Sequence, residues 1–196
     1  MTEDFNQLQQ IISERRTIKP TTFTGNKISD YEILEVLETA NWAPTHGYTE
    51  PWRFSIFTEE GLTRLGNFYA HLDQPNSEAE GFNAQRFERF KNRPMLCSHV
   101  IGIGMMPNSN PKIPEMEELC SVAMAVQNLW LALHAKGYGG YWSTGKLAFT
   151  DKMRQFFELP EGAKSLGLFY VGIPPKEQPK GRRISTIETK LNWIKK

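Results

Sequence analysis

Three short stretches of this 196-residue chain group side chains that can do chemistry. Arg15-Arg16-Thr17 with Lys19 sets three cations and a hydroxyl where a helix should pass into extended chain. Guanidinium offers a planar fork for phosphate oxygens, a hydroxyl adds a donor, and an ammonium supplies a compact point charge. The same residues could instead complement the dipole of a helix end or face solvent. The second stretch, Ala43-Pro44-Thr45-His46-Gly47-Tyr48-Thr49-Glu50-Pro51-Trp52, is bounded by prolines and polar at its centre. Such a loop can turn backbone N–H and imidazole groups toward a ring rich in acceptors, or it can be a packed turn with Trp52 in the core. The third, Gly137 to Gly145, holds four glycines around Tyr138, Tyr141 and Trp142. Glycine lets backbone approach a flat ligand and aromatics stack on it, while Gly137 also reads as a helix C-cap.

The elements that position these stretches follow from periodicity. Phe5, Leu8, Ile11 and Ile12 predict a first helix ending near Arg15-Arg16, since the residue before Pro20 avoids the α region. Ser29 with Glu32 forms a capping box opening a second helix, whose apolar face is Ile33, Leu34, Val36, Leu37 and Ala40 and which stops near Trp42. Trp52 to Thr58 alternates as a strand, Leu62 to His71 reads as a helix, residues 73–77 as a loop and Glu78 to Lys91 as a charged helix. Ser98 to Met105 is a nearly continuous apolar run, hence a buried central strand, followed by a proline-rich loop from Pro107 to Pro114. The longest helix, from about Glu115 to Lys136, is apolar nearly all round and needs cover on several sides, which a partner subunit can supply. A short Tyr141–Thr144 segment, a helix near Asp151 to Glu158, a strand from Leu166 to Gly172 and a Pro-, Lys- and Arg-rich tail from Pro174 complete the chain.

Composition narrows the classes. Lys plus Arg number 23 against 22 for Asp plus Glu, so no global field draws the chain to nucleic acid or an anionic membrane. The length suits one domain over residues 1–196, and 39% hydrophobic residues suffice for a core. Met1-Thr2-Glu3-Asp4-Phe5 has no secretory character, and Val100 to Met106 is far short of the ~20 residues needed to span a bilayer. The expectation is a cytoplasmic protein with Cys97 and Cys120 both reduced and buried. The four histidines form no metal pattern. Gly102-Ile103-Gly104 falls inside a strand and so does not make a dinucleotide fingerprint, and no P-loop is present. A layered α+β domain remains.

The order of the stretches is more specific than any one of them. Arg15-Arg16-Thr17, Ala43-Pro44 through Pro51-Trp52-Arg53-Phe54, Gly139 to Gly145, and Gly172-Ile173-Pro174 with Lys180 and Arg182-Arg183 form a series that resembles the nitroreductase family of FMN-dependent oxidoreductases, most of all its compact subgroup. The resemblance implies a mixed, mostly antiparallel sheet flanked by helices, with the long central helix at a homodimer interface and FMN bound there. It assigns the phosphate and ribityl region to Arg15, Arg16 and Thr17, the pyrimidine side of the ring to Lys19, and flavin contacts to His46 and to the partner's Tyr141, Trp142, Ser143 and Thr144. Arg182 and Arg183 match the C-terminal basic residues that hold the phosphate. Glu50 stands where the family commonly has Gln, and an ionised carboxylate cannot donate as an amide can. The implied reaction is ping-pong: hydride from NADH or NADPH through flavin N5 to a nitroaromatic, quinone or similar conjugated acceptor, with the flavin carrying the chemistry and no catalytic side chain required. A flavin-binding or flavin-free dimer that binds a small molecule is the alternative.

Overall fold

The computed structural model describes residues 2–73 and 82–196. Its elements run α1 (Glu3–Glu14), α2 (Asp30–Asn41), β1 (Trp52–Phe57), α3 (Glu60–Leu72), α4 (Ala84–Asn92), β2 (His99–Met105), α5 (Glu115–Ala135), β3 (Gly139–Ser143), α6 (Asp151–Phe156) and β4 (Lys164–Gly172). Apart from Asp73, the C-cap of α3, the expected loop at 73–77 and the first turn of the charged helix expected from Glu78 fall on residues 74–81, outside the described residues.

The four strands lie in the order β1-β2-β4-β3, every neighbouring pair antiparallel. The mixed character expected of the sheet is reduced to one isolated parallel bridge, Thr17 to Gly140. Period-two alternation divides the two central strands between two cores. Ile101, Ile103, Met105, Phe169 and Val171 pack with Ile33, Val36 and Ala40 of α2 and with Val122, Val126, Leu129 and Leu133 of α5. Val100, Leu168 and Tyr170 pack on the opposite face with Leu62, Leu65 and Tyr69 of α3 and with Met153 and Phe157. Both faces of β2 are thus covered, which is why it reads as an unbroken apolar run. Trp52 joins the first core and donates its indole N–H to Asn41 Oδ1 at 3.0 Å.

Two expectations about exposure are corrected, at Leu34 and at Cys120. Leu34 points away from the core, since α2 buries only the Ile33, Val36 and Ala40 side. Trp42, at the C-cap of α2, is 81% exposed. Cys97 is buried, but Cys120 lies on the open side of α5. That side also exposes Met116, Leu119 and Met124, and α1 leaves Phe5, Leu8 and Ile12 exposed with no residue buried. Among the described residues no helix is long and apolar enough to cross a membrane. The loop after β2 is tied back by the Asn108 N–H, which both oxygens of the buried Glu118 accept at 3.0 and 2.9 Å.

The capping box of α2 is present: Glu32 N–H donates to Ser29 Oγ, and the Glu32 carboxylate accepts from Ser29 N–H and Oγ–H. The same carboxylate accepts from the Tyr138 hydroxyl, beyond the end of α5. Hydrogen bonds from Tyr138 and Ser29 hold Glu32 down at about 2, and the carboxylate pushes Tyr138 up to about 12. The folded chain therefore resists protonation of Glu32 that the unfolded chain accepts near 4.5. This contribution is complete above that pH and is lost as pH falls toward about 2. In thermal melts followed by circular dichroism, Glu32→Gln should lose stability less steeply than the wild-type chain across that window.

Candidate functional site

Glu14 closes α1, and Arg15 at φ −54°, ψ 131° turns the chain into an extended segment. Thr17 bridges Gly140 there, and Ile18 N–H donates to Gly140 O at 3.0 Å, so residues 15–18 run along the open edge of β3. Gly140 permits this close assembly. A Cβ there would lie 2.5 Å from the Phe169 ring and 3.2 Å from Trp130 Nε1. Arg15 lays its guanidinium over the Trp130 indole, 4.3 Å from the ring centroid.

Among the described residues, Arg15 Nη1 and Trp130 Nε1 are both buried without a hydrogen-bond partner. Burial lowers the Arg15 pKa, and repulsion from Arg16 and Arg183 lowers it further. A cation over an aromatic face recovers about 0.5–2 kcal/mol. Leaving a buried donor unpaired costs about 1–3 kcal/mol, and more where it is charged. Stacking supplies no acceptor to Nη1, so this donor is left for an acceptor that a ligand can bring.

Arg16 points elsewhere. Its Nη1 donates to the carbonyls of Ser13 at 2.7 Å and Arg15 at 2.8 Å, and its Nε donates to Pro179 O at 3.1 Å. These bonds clamp the tail against the end of α1 and bring Arg183 close enough to act on Arg15. Two residues that motif reasoning passed over belong to this cluster. Trp130 reads in sequence as one more apolar position of α5. His134 on the same helix is held below its ordinary value by burial, with Glu14 opposing and Arg15 and Arg16 adding to the shift. Arg182 and Lys19 are exposed, Lys19 at the start of a 3-10 turn over Pro20–Thr22.

Tyr141, Trp142 and Ser143 end the edge strand β3, and Thr144 follows it. Tyr141 stacks on Tyr170 with centroids 5.9 Å apart, on the α3 side of the sheet. Trp142 packs on the α5 side and donates its indole N–H to Leu166 O at 3.1 Å. The two rings thus occupy opposite faces, and both cannot lie against one flat ligand. Since Gly140 turns its carbonyl outward to Ile18, alternation puts the Trp142 peptide N–H and C=O on the same open edge. Ser143 is buried and Thr144 exposed.

His46 begins a 3-10 turn, His46–Tyr48, inside the proline-bounded loop. Gly47, Tyr48 and Glu50 all take positive φ, and Thr45 Oγ1 braces the turn by accepting from Glu50 N–H at 3.2 Å. The Glu50 side chain is exposed. His46 Nδ1 lies 2.5 Å from Glu117 Oε2 in the first turn of α5, beside a cavity of about 330 Å³ that Met116, Cys120 and Met124 also line. About 20 Å of helix axis separates Glu117 from Trp130 at ~1.5 Å per residue. One chain therefore carries two separate groupings, the Arg15 cluster and the His46 pair, at distant points of one helix.

A third grouping is structural. Ser98, His99 and Asp30 form a hydrogen-bonded chain, with His99 Nε2 2.8 Å from Asp30 Oδ1 and Ser98 Oγ 3.0 Å from His99 Nδ1. Ser98 and His99 are each 2% exposed, so no substrate reaches the hydroxyl, which instead accepts from Ile28 N–H and anchors the entry to α2. Among the described residues no group of three or more His, Cys, Asp or Glu could hold a metal ion.

The family model described as the Nitroreductase family matches residues 12–173. The chain belongs to the nitroreductase family. YfhC of Bacillus subtilis, an inferred NAD(P)H nitroreductase, is 27% identical over 194 residues and is covered to 97%, as is this chain. A nitroreductase-like family protein from Bacillus cereus shares the fold with a TM-score of 0.84 at 23% identity, over 96% of both chains. The FMN-dependent nitroreductase NfnB of Mycobacterium smegmatis, solved with NADPH, superposes with a TM-score of 0.75 at 17% identity, over 98% of this chain and 100% of its own. The nitroreductase match begins within α1 and ends at Ile173, so the Arg16 clamp joins family core to tail.

The clamp makes a testable demand on Gly181. A Cβ there would sit 2.2 Å from Arg16 Nη2, so the guanidinium must leave its carbonyls or the tail must lift. Gly181→Ala should raise the rate of tryptic cleavage after Arg182 and Arg183 several-fold while leaving the melting temperature of the domain nearly unchanged.

Proposed function

We propose that this chain is an FMN-dependent oxidoreductase that takes hydride from NADH or NADPH and passes it, in ping-pong order, to a nitroaromatic, quinone or similar conjugated acceptor. The observation that carries this reading is the buried, unpartnered Arg15 Nη1 beside Arg16 and Arg183. A phosphate monoester fits that demand, because it brings negative charge and several acceptor oxygens to donors that have none. Bound FMN supplies the hydride-transfer chemistry of its ring.

The chain's own residues bind and orient. Arg15 and Arg183 would hold the phosphate, with Thr17 adding a hydroxyl and Arg16 keeping Arg183 in place through the tail. Lys19 would offer a positive charge toward the pyrimidine side of the ring. The resemblance draws the partner's Tyr141, Trp142, Ser143 and Thr144 to the ring, but β3 adjoins the Arg15 segment of its own chain. The open edge at Trp142 with its neighbours would therefore meet the ring from the Arg15 side, through backbone groups, and His46 would come from the other subunit. No general acid or base is assigned. Since Arg15 and His46 sit at distant points of α5, a homodimer that sets one half-site of each subunit against the other of its partner completes two equivalent sites. The exposed Met116, Leu119 and Met124 of α5 and Phe5, Leu8 and Ile12 of α1 suit that interface. Nothing in this arrangement calls for a membrane or nucleic acid, and a cytoplasmic location is the corresponding proposal.

The purified protein should show a two-banded visible flavin spectrum that bleaches on anaerobic addition of NADH or NADPH. Arg15→Ala should weaken FMN retention roughly 10- to 150-fold, the equivalent of about 1.5–3 kcal/mol for a charge-assisted hydrogen bond. Equal retention in this variant would remove Arg15 from the phosphate site. Bound flavin without NAD(P)H oxidation across a panel of acceptors would favour a small-molecule-binding dimer instead.

A further inference from the structure

Among the described residues, the His46 ring makes one hydrogen bond, from Nδ1 to Glu117. An ionised carboxylate only accepts, so a neutral His46 held this way carries its proton on Nδ1 and leaves Nε2 with a lone pair. A free histidine side chain prefers the opposite tautomer, so the choice is made by Glu117. The geometry is favourable on both sides. His46 is held by a braced turn between two prolines, and Glu117 stands in the first turn of a 21-residue helix that favours a carboxylate there. The pair opens beside the cavity formed by Pro44, Thr45, Met116 and Cys120.

We infer that Glu117 is a positioning residue that makes His46 a hydrogen-bond acceptor, so that this half-site selects a ligand edge carrying an N–H donor. The inference rests on the FMN reading above and sharpens it. An oxidised flavin ring carries a single N–H, N3–H, between two carbonyls of the pyrimidine ring. An acceptor imidazole is matched to that N–H and mismatched to the carbonyls and to the bare ring nitrogens. Glu117 thereby fixes which edge of the ring His46 can meet, although it touches no ligand itself. A second explanation is that Glu117 serves only the dipole of α5 beside Glu115 and Glu118, and the variants below separate the two.

The experiment uses full-length protein with nitrogen-15-labelled histidine, together with FMN dissociation constants from flavin fluorescence. In the wild-type chain the neutral His46 ring should show Nδ1 protonated and Nε2 as the pyridine-type nitrogen, with or without FMN. Glu117→Gln keeps an accepting carbonyl without the charge, and should retain both the tautomer and the FMN affinity within about twofold. Glu117→Ala should release the ring to the other tautomer and weaken FMN about 3- to 10-fold, the range of one neutral hydrogen bond. N3-methylated FMN should bind the wild-type chain at least tenfold more weakly than FMN, and His46→Ala should lose most of that discrimination. The inference is overturned if Glu117→Ala keeps the Nδ1 proton, if Glu117→Gln falls as far as Glu117→Ala, or if His46→Ala discriminates against the methylated flavin as strongly as wild type. Absence of FMN binding by the wild-type chain would overturn the ligand half of the inference and the FMN reading together. The tautomer measured in that protein would still decide whether Glu117 positions His46.

Discussion

Helix α5 has to be apolar on the side where the sheet and α2 cover it, and a single chain does not cover the rest. Val122, Ala125, Val126, Leu129 and Leu133 fill the core between α2 and the sheet, while Met116, Leu119, Cys120 and Met124 stay at the surface. Everything chemically distinctive hangs from this one rod. Glu117 at its beginning holds His46, Trp130 in its second half carries Arg15, and Tyr138 just past its end caps α2 through Glu32. A rigid helix keeps these attachments at constant separation, so the Arg15 cluster and the His46 pair cannot close on each other within a chain by any local motion. The open side of α5 keeps apolar Leu119 and Met124 at the surface between these two attachments.

The Arg15 cluster puts electrostatics in the opposite balance. Burial of Trp52, Ile103 or Phe169 lowers free energy without reference to a ligand. Crowding Arg15, Arg16 and Arg183, with one guanidinium nitrogen dry and unpaired, raises it. Arg16 shows the difference between structural and ligand-directed charge. Three backbone carbonyls engage its guanidinium, so it is already compensated within the fold. Arg15 has an indole face and no acceptor at Nη1. Of two adjacent arginines with the same chemistry, only Arg15 is left with an unmet electrostatic demand, and that asymmetry is invisible in the dipeptide.

What was legible in the sequence follows the range of the interaction. The α2 capping box depends on residues three apart, and β2 depends on a local apolar run, so both could be read directly. Leu34 is not legible as exposed because a helical stripe covers more than the helix buries, and what packs on α2 is a tertiary property. The exposure of Cys120 is hidden because a small apolar-tolerant residue on a long helix signals burial only once the neighbours are known. His46 was visible as a candidate, but its partner Glu117 lies 71 residues away and looked like one of three acids at a helix start. Trp130 and His134 were hidden for the same reason, absorbed into the apolar period of α5.

The edge strand β3 shows how strand geometry limits what a motif can mean. Tyr141-Trp142 reads as a pair of aromatics available to one flat ring, yet successive strand residues face opposite ways. Trp142 is committed to the α5 side through its bond to Leu166, and Tyr141 to the α3 side through Tyr170. What the segment offers a ligand in common is backbone. The outward-facing peptide groups at Gly140 and Trp142 form a short donor and acceptor row, and Ile18 already occupies its first place. A ligand anchored at Arg15 would meet the row where Ile18 leaves it, at Trp142. The extended segment after α1 therefore does two things at once: it carries the unpaired Arg15 guanidinium nitrogen, and it covers the Gly140 end of the β3 edge while leaving the Trp142 end open.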